Sequence, residues 1–598
     1  MNDVEDDRHS GPVLRIVLTA VGLVQGLGLF LLFEDVWAAR TALLMGLTTL
    51  CLLGPSTFQL TYGLGPLRRA VTASAVLALP MALLACWYDW RIDWGGETRF
   101  TDHRAVFFTA LPVIAYIVWA YLQTWVEGGR LRFAYASLFR FAWSNILIAA
   151  IAAAFLGAFW LVLLLWGALF HLVGIDFFKD LFQESIFAWL FSGAVFGLGI
   201  AVARENGKLV PVLRRVALML FQILAPVLAA AALLFLAVLP VTGLEPLWAT
   251  RSATLVLVSL LFALALFANA VIQDGDRLLP FGRWMNWLMG ASLVAMPVFA
   301  GIAFYAVRLR IDQYGLTPER FIGQFIVIAA SVLSLAYAAS VLLRWRDWTG
   351  CITRVNPWIA PLVAVMAALL FTPLADPYGR SAYAQVERLA AGEVTVEAFD
   401  YGLLKFKTGR PGRYALDNVR LMQGGHPQGD VIAARIAAVD EAKHYWEVRL
   451  DPSMIPANDL IGLRAKLVVR PAGTEVPDEV IAAMNDSRDW ALRECLQDSQ
   501  RCGILVTDLN RDGTPEFVFL SMMTATVIGS TQDASESAPE GPRISGMMIY
   551  RSSDGWATAD SSYIPASDTL WNAFLAGDIE LVEPAYYDIR IGKNRLHY

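Results

Sequence analysis

Residues able to do chemistry are few in this 598-residue chain, and they fall in short clusters. The run Asp508-Leu-Asn-Arg-Asp-Gly-Thr-Pro-Glu516 sets side-chain oxygens at loop positions one, three, five and nine, through Asp508, Asn510, Asp512 and Glu516. Gly513 stands at position six, where a calcium loop needs its sharp turn, and Thr514 at position seven adds a backbone carbonyl. Calcium is therefore the one cofactor the sequence suggests. So few ligands imply weak affinity, on the order of 10⁻⁴ to 10⁻³ M. A metal-free turn closed by Asp and Asn side chains would use the same residues. Just before this loop, Cys495 and Cys502 are spaced to close a disulfide in an oxidising compartment, or to stay buried as thiols.

A second cluster joins Arg308, Arg310 and Asp312 to Glu319 and Arg320. Arginines beside a helix start attract phosphate or carboxylate, which makes Arg308, Arg310 and Arg320 a candidate anion or lipid-headgroup site. Much of the same run has a structural explanation: Thr317 as N-cap, Pro318 at the first helical position, and Glu319 at the positive end of the helix dipole. A third cluster, Asn269, Gln273 and Asp274, forms a polar strip at the end of an apolar stretch. It either lines a substrate or ion path or makes interhelical hydrogen bonds. Arg140 with Asn145, and Arg204 with Glu205, are read as arginines anchored at a membrane boundary. Glu34 and Asp35 occupy a position where some membrane glycosyltransferases keep a catalytic acid, although the loop is short. Cys51, Cys86 and Cys351 lie in or beside apolar stretches and are read as packing residues.

The elements that position these clusters are set by an apolar solvent. Of the residues, 57% are apolar and 17% charged, against about 25% charged in soluble domains. A bilayer core of about 30 Å needs about 20 apolar residues in a helix. Eleven stretches qualify: 13–33, 36–54, 70–88, 104–126, 142–173, 185–204, 213–240, 252–272, 284–307, 321–343 and 357–373. The second is short and carries Arg40 near its start. With the N-terminus inside, 16 Lys and Arg lie in inner segments and nine in outer ones, the bias expected of that orientation. An odd span count then places the C-terminal part outside. Residues 1–10 are acidic, and no cleavage site follows the first apolar run, so that run is expected to be an uncleaved anchor.

The fifth span exceeds the bilayer, and the segment after it, with Phe177, Phe178, Leu181, Phe182 and Ile186 opposite Lys179, Asp180, Gln183 and Glu184, suits a helix in the outer interface. From Ala375 onward 32 acids stand against 22 bases, which argues against a nucleic-acid partner. In that region 381–391 and 477–497 pattern as helices, whereas 403–407, 445–450, 465–469, 503–507 and 517–520 pattern as strands. Asp554-Gly555 signals a hairpin, and 530–542 reads as a Ser/Pro/acid-rich loop. No zinc or haem ligand spacing, nucleophile elbow, P-loop or dinucleotide fingerprint is present.

The stretch from Arg140 to Ala375 resembles a bacterial membrane family catalogued as domain of unknown function 4153. The likeness rests on Trp143-Ser-Asn145, Ser192-Gly-Ala-Val-Phe-Gly-Leu-Gly-Ile200 with Ala203-Arg-Glu205, Asn269-Ala with Gln273-Asp-Gly275, and Gln313-Tyr-Gly-Leu-Thr-Pro-Glu-Arg320. The family has no assigned reaction, so the resemblance implies a bacterial inner-membrane setting and no mechanism. The Asp508–Glu516 run departs from an EF-hand, since position twelve is Phe519, and is closer to loops of integrin-type propeller repeats, in a single copy.

The expected fold is an all-α polytopic membrane bundle followed by a soluble α+β extracytoplasmic domain. Its parts are a cytoplasmic tail over 1–12, the bundle over 13–373, an α+β region over 374–475, and a second over 476–598 that carries the calcium loop. The function expected first is a transporter-like or lipid-handling inner-membrane protein with an outer recognition domain and no enzymatic activity. Its partners are the bilayer, a lipid headgroup or small anion, and an envelope protein. The alternatives are an enzyme on a lipid-linked substrate at the outer interface, using Asp312, Glu319 or Glu184 with the nearby arginines, and a calcium-responsive sensor.

Overall fold

The computed structural model describes residues 11–34, 42–92, 101–249, 252–275, 281–345, 347–442, 467–486, 501–523, 543–552, 555–559, 562–565, 568–580, 589–591 and 594–596, with 445, 448 and 464. Two compact units divide the chain, Met1–Asp440 and Glu441–Tyr598.

Among the described residues of the first unit, eleven helices are long and apolar enough to cross a membrane: α1 (Gly11–Glu34), α2 (Ala42–Thr61), α3 (Leu67–Ile92), α4 (Thr101–Gly128), α5 (Tyr135–Leu172), α7 (Ser185–Glu205), α8 (Leu209–Thr242), α10 (Ala253–Ile272), α11 (Arg283–Tyr314), α12 (Pro318–Leu343) and α13 (Trp348–Leu369). The chain is a multi-pass membrane protein. Two short helices, α6 (Phe177–Gln183) and α9 (Glu245–Ala249), interrupt the series. The second span sits later than the apolar run over 36–54 suggested. Its polar end is buried and bonded: the Thr61 hydroxyl donates to the Thr57 carbonyl at 2.7 Å, and Gln59 Nε2 donates to Leu18 O at 3.3 Å. Hydropathy counts such residues as loop because it cannot see these partners. Helix α5 runs 38 residues, roughly 57 Å at 1.5 Å per residue, and Phe178 and Phe182 of α6 fold back onto its Trp166.

Helices α1 and α7 approach most closely. A Cβ on Gly22 would run into the carbonyl of Gly193, one on Gly26 into that of Trp189, and one on Gly197 into that of Leu18. Only hydrogen fits between these backbones, as in other small-residue crossings in lipid. A second core gathers α8, α10, α11 and α12 around Leu257, Leu261, Met296, Phe299 and Tyr337.

Beyond the last span the first unit continues in helices only: α14 (Pro377–Ala390), α15 (Tyr401–Phe406), α16 (Gly409–Met422) and α17 (Gly429–Glu441). The strand expected over 403–407 is thus a helix. Asp400 caps it by accepting the Leu403 N–H at 2.9 Å, and Leu403, Leu404 and Phe406 are buried at helical spacing. A short apolar run does not separate the two states by itself. These helices pack with the bundle, so 374–475 is not one α+β region.

The second unit is built on strands β1 (Val468–Arg470), β2 (Arg501–Thr507), β3 (Glu516–Met523), β4 (Arg543–Ser552), β5 (Gly555–Thr558) and β6 (Ser562–Pro565). Their order is β1-β2-β3-β4-β5, with β6 also on β4; β1 runs parallel to β2 and the rest are antiparallel. The strands at 503–507 and 517–520, and the hairpin into Gly555, fall where the sequence put them. Side chains alternate between faces. Ile504, Phe519, Met547 and Ile549 meet Val480 and Met484 of α18 (Asp478–Asp486), while Met522 and Ile544 meet Trp571 and Phe574 of α19 (Asp568–Ala576). A separate pair joins β7 (Ile589–Ile591) to β8 (Asn594–Leu596). The expected strand over 445–450, most of the helix beyond Asp486, and the loop over 530–542 fall largely outside the described residues.

The glycine seam yields a stability test. Gly193→Leu should destabilise the bundle by about 3 kcal/mol or more, since a backbone carbonyl cannot move aside as a side-chain tip can. A lower melting temperature and loss of the monodisperse peak in detergent would show it, whereas wild-type behaviour would mean that the helices are not in this contact.

Candidate functional site

The Asp/Asn loop joins β2 to β3 and closes on itself. Asp508 Oδ2 accepts the Gly513 N–H at 2.9 Å, Asn510 Oδ1 accepts that of Asp512 at 2.8 Å, and Asp512 Oδ1 accepts that of Thr514 at 2.7 Å. The last bond holds the Asp512 carboxyl below the usual carboxylate range. Glu516, largely buried, accepts from Leu509 N at 2.7 Å and from Asn510 Nδ2 at 2.9 Å; Asn510 Nδ2 also reaches Asp512 Oδ2 at 2.9 Å. A carboxamide N–H therefore bridges two carboxylates where a cation would do so. Among the described residues no group of three or more His, Cys, Asp or Glu is arranged to hold a metal ion. Cys502 is buried in β2; Cys495 lies outside the described residues, as do Asp35 and the side chain of Glu34.

Arg308, Arg310 and Arg320 flank the corner between α11 and α12. Arg308 pairs with Asp312 at 3.0 Å one helical turn away, and Arg320 donates to Gly315 O at 2.6 Å. Thr317 caps α12 by accepting the Arg320 N–H at 3.4 Å, with Pro318 and Glu319 in the first turn. Helix α14 covers the corner through Gln385 Nε2, which donates to Leu316 O at 2.9 Å.

The polar strip divides. Asn269 joins a ring of side chains across four helices: Tyr135 and Asn356 donate to its Oδ1 at 2.8 and 2.6 Å, its Nδ2 donates to Tyr337 Oη at 2.6 Å, and Tyr337 donates to Asn356 Oδ1 at 2.8 Å. Such a closed ring ties α5, α10, α12 and α13 together. Gln273 ends α10 at a φ of 55°, and Asp274 Oδ1 is buried without a partner among the described residues.

Two clusters were not singled out from the sequence. At the end of α3, fully buried Asp89 accepts from His103 Nε2 at 2.8 Å and from both Arg104 Nε and Nη2 at 2.7 and 3.0 Å. Next to it Arg91 pairs with Asp376 at 2.9 Å. The alternation of acid and base at consecutive helix ends was the available signal.

The other cluster surrounds a cavity of about 480 Å³ at the end of the bundle where α1 begins. Six helices reach it: α1, α2, α4, α5, α7 and α8. Its polar lining includes Gln123, Arg140, Ser144, Asn145, Arg204, Glu205 and Arg214, and its walls include Leu14, Leu60, Phe141, Ile148 and Val210. Gln123 and Asn145, both buried, exchange amide hydrogen bonds at 3.0 and 2.8 Å. Arg204 donates to the Gln59 and Tyr62 carbonyls at 2.5 and 2.6 Å, satisfying acceptors that the end of α2 leaves open. Arg140 pairs with Glu127 at 2.5 Å, and Arg15 clasps Glu205 at 2.6 and 3.0 Å. Arg140, Asn145 and Arg204, which sequence alone treats as separate boundary anchors, thus share one site.

Removing one member of the closed ring tests its structural role. Tyr337→Phe should cost about 1 kcal/mol, the scale of interhelical hydrogen bonds in lipid. The double variant with Asn356→Leu should lose less than the two single losses together, read as melting temperatures in detergent; additive losses would mean that the two side chains are not coupled. The chain matches no protein-family model, no curated protein and no solved structure.

Proposed function

We propose that this chain is a carrier-like inner-membrane protein of bacteria, akin to the family named above. Its N-terminus is cytoplasmic, and its sheet domain is extracytoplasmic and serves recognition. The observation that carries this reading is the cavity between six helix ends, with its arginines and buried amide pair. Ligand sites are commonly apolar clefts of about 300–1,000 Å³ with a few convergent polar groups. The enzyme alternative has less support, because at the α11–α12 corner Asp312 is paired with Arg308, Arg320 binds the Gly315 carbonyl, and Gln385 of α14 bonds the Leu316 carbonyl. The orientation rests on the excess of Lys and Arg in alternate segments, all on the side where α1 begins.

Maleimide labelling tests sidedness and cavity together. With Cys51, Cys86 and Cys351 replaced by Ala, Ser144→Cys should react in inside-out vesicles and stay protected in intact cells. Cys495 and Cys502, assigned here to a disulfide on the oxidising side, should label only after reduction. Labelling of Ser144→Cys from outside would invert the topology, and no labelling from either side would remove the open cavity.

The Asp508–Glu516 loop is assigned calcium, which requires the Asn510 amide to turn its oxygen toward the two carboxylates. Calcium at millimolar concentration should slow hydrogen exchange over 508–516 in the intact protein, and Glu516→Gln should abolish the effect. Unchanged exchange would make the loop a metal-free turn.

A further inference from the structure

We propose that the start of α11 and the end of α12 hold the headgroup of an anionic phospholipid, with Arg283 and Arg344 on its phosphate and the indoles of Trp284, Trp287 and Trp345 where its head meets its chains. The proposal stands apart from what the cavity carries. It takes from the carrier-like reading only the leaflet concerned, the cytoplasmic one.

Arg283 and Arg344 are exposed, and among the described residues neither makes a hydrogen bond or an ion pair. Several arginines at other helix ends on that side are taken up by the protein: Arg15 by Glu205, Arg69 by the Val126 carbonyl, Arg140 by Glu127, and Arg204 by the carbonyls of Gln59 and Tyr62. Across 274–287 and 341–358 the sequence carries Arg277, Arg283, Arg344, Arg346 and Arg354 against Asp274, Asp276 and Asp347, a positive excess. Of these acids, Asp274 has its Oδ1 buried, and Asp347 lies against Gly350 of α13, where a Cβ would meet its Oδ1 at 2.6 Å. A planar guanidinium fork matches two oxygens of a phosphodiester, and basic residues beside spans on the cytoplasmic side attract anionic lipid heads.

Three indoles gather at the same place. Trp284 is 89% exposed, Trp287 59% and Trp345 39%. The rings of Trp287 and Trp345 meet edge to face with centroids 5.5 Å apart, which joins the start of α11 to the end of α12. Arg283 stands one turn before Trp287 on the same helix face, and Arg344 directly precedes Trp345. The three indole N–H groups make no hydrogen bond among the described residues, so they are open to phosphate or ester oxygens. Indoles settle where headgroups meet hydrocarbon. Leu342 and Leu343, 65% and 80% exposed, extend the apolar surface beside them. Water alone would solvate the arginines and leave the indoles and leucines uncovered, whereas a lipid covers both.

The experiment uses the full-length protein, purified in detergent and judged monodisperse. Phosphatidylglycerol, phosphatidylcholine and inorganic phosphate are added separately, and binding is read by retained lipid in native mass spectrometry and by melting temperature. Phosphatidylglycerol should be retained and raise the melting temperature, while phosphatidylcholine should do neither. Arg283→Gln and Arg344→Gln should each weaken retention about tenfold, the effect of losing one charge-assisted contact. If Arg283→Gln does not fold, Arg283→Lys keeps the charge without the fork and should still weaken retention. Arg68→Gln, which removes an exposed charge at the start of α3, should leave retention unchanged. Equal retention of the two lipids, or a loss in Arg68→Gln as large as in the other variants, would overturn the proposal. Stabilisation by inorganic phosphate as strong as by phosphatidylglycerol would overturn the lipid as occupant. Lipid binding that fails while Ser144→Cys labels from the cytoplasmic side removes this inference and keeps the carrier-like reading. Retained lipid with Ser144→Cys labelled from outside supports the site and overturns only its leaflet.

Discussion

Hydrocarbon offers no hydrogen bonds, so a polar group that the bundle buries is costly unless it finds a partner within the protein. That constraint explains why the interior polar side chains occur in reciprocal sets. Gln123 and Asn145 exchange amide bonds between α4 and α5. Asn269, Tyr337 and Asn356 close a ring. Asp89 is held by His103 and Arg104. Each set joins helices whose positions would otherwise be fixed only by apolar packing, which discriminates poorly when lipid tails are as apolar as the side chains.

The same rule makes Arg204 more than an anchor. An arginine at a membrane boundary normally extends to water. This one turns its guanidinium onto the carbonyls of Gln59 and Tyr62, where α2 runs out of amides to bond them. The end of α2 is thereby pinned to α7, and α7 is pinned to α1 through the glycine seam. Three helices are then locked at one end while α5 and α8 pass beside them. The cavity lies where these locked ends leave the bundle incompletely filled.

How much of this was legible depends on whether the signal is local. The eleven spans follow from runs of apolar residues, and the α12 cap from Thr317-Pro318-Glu319, because each is decided within one or two helical turns. The strands flanking the Asp/Asn loop were legible for the same reason. By contrast, the polar tail of α2 is misplaced by hydropathy because Gln59 donates to Leu18 O and Thr57 accepts from Trp119 Nε1, both far off in sequence, while Thr61 bonds the Thr57 carbonyl one turn back. The helix over 401–406 was misassigned because a run that short takes its state from its Asp400 cap and its burial. Arg140, Asn145 and Arg204 were each visible, but their convergence was not, since it depends on six helix ends meeting.

That convergence bears on what the basic residues do. A positive-inside bias needs only that arginines stay on one side of the bilayer, and solvated arginines at scattered helix ends would satisfy it. Here Arg140 and Arg204 are drawn from α5 and α7 to one cavity, and Arg214 of α8 joins them, with apolar walls between. Arg140 pairs there with Glu127 of α4, and Arg204 binds the Gln59 and Tyr62 carbonyls, so each also ties its helix to a neighbour. Topology alone does not call for that arrangement.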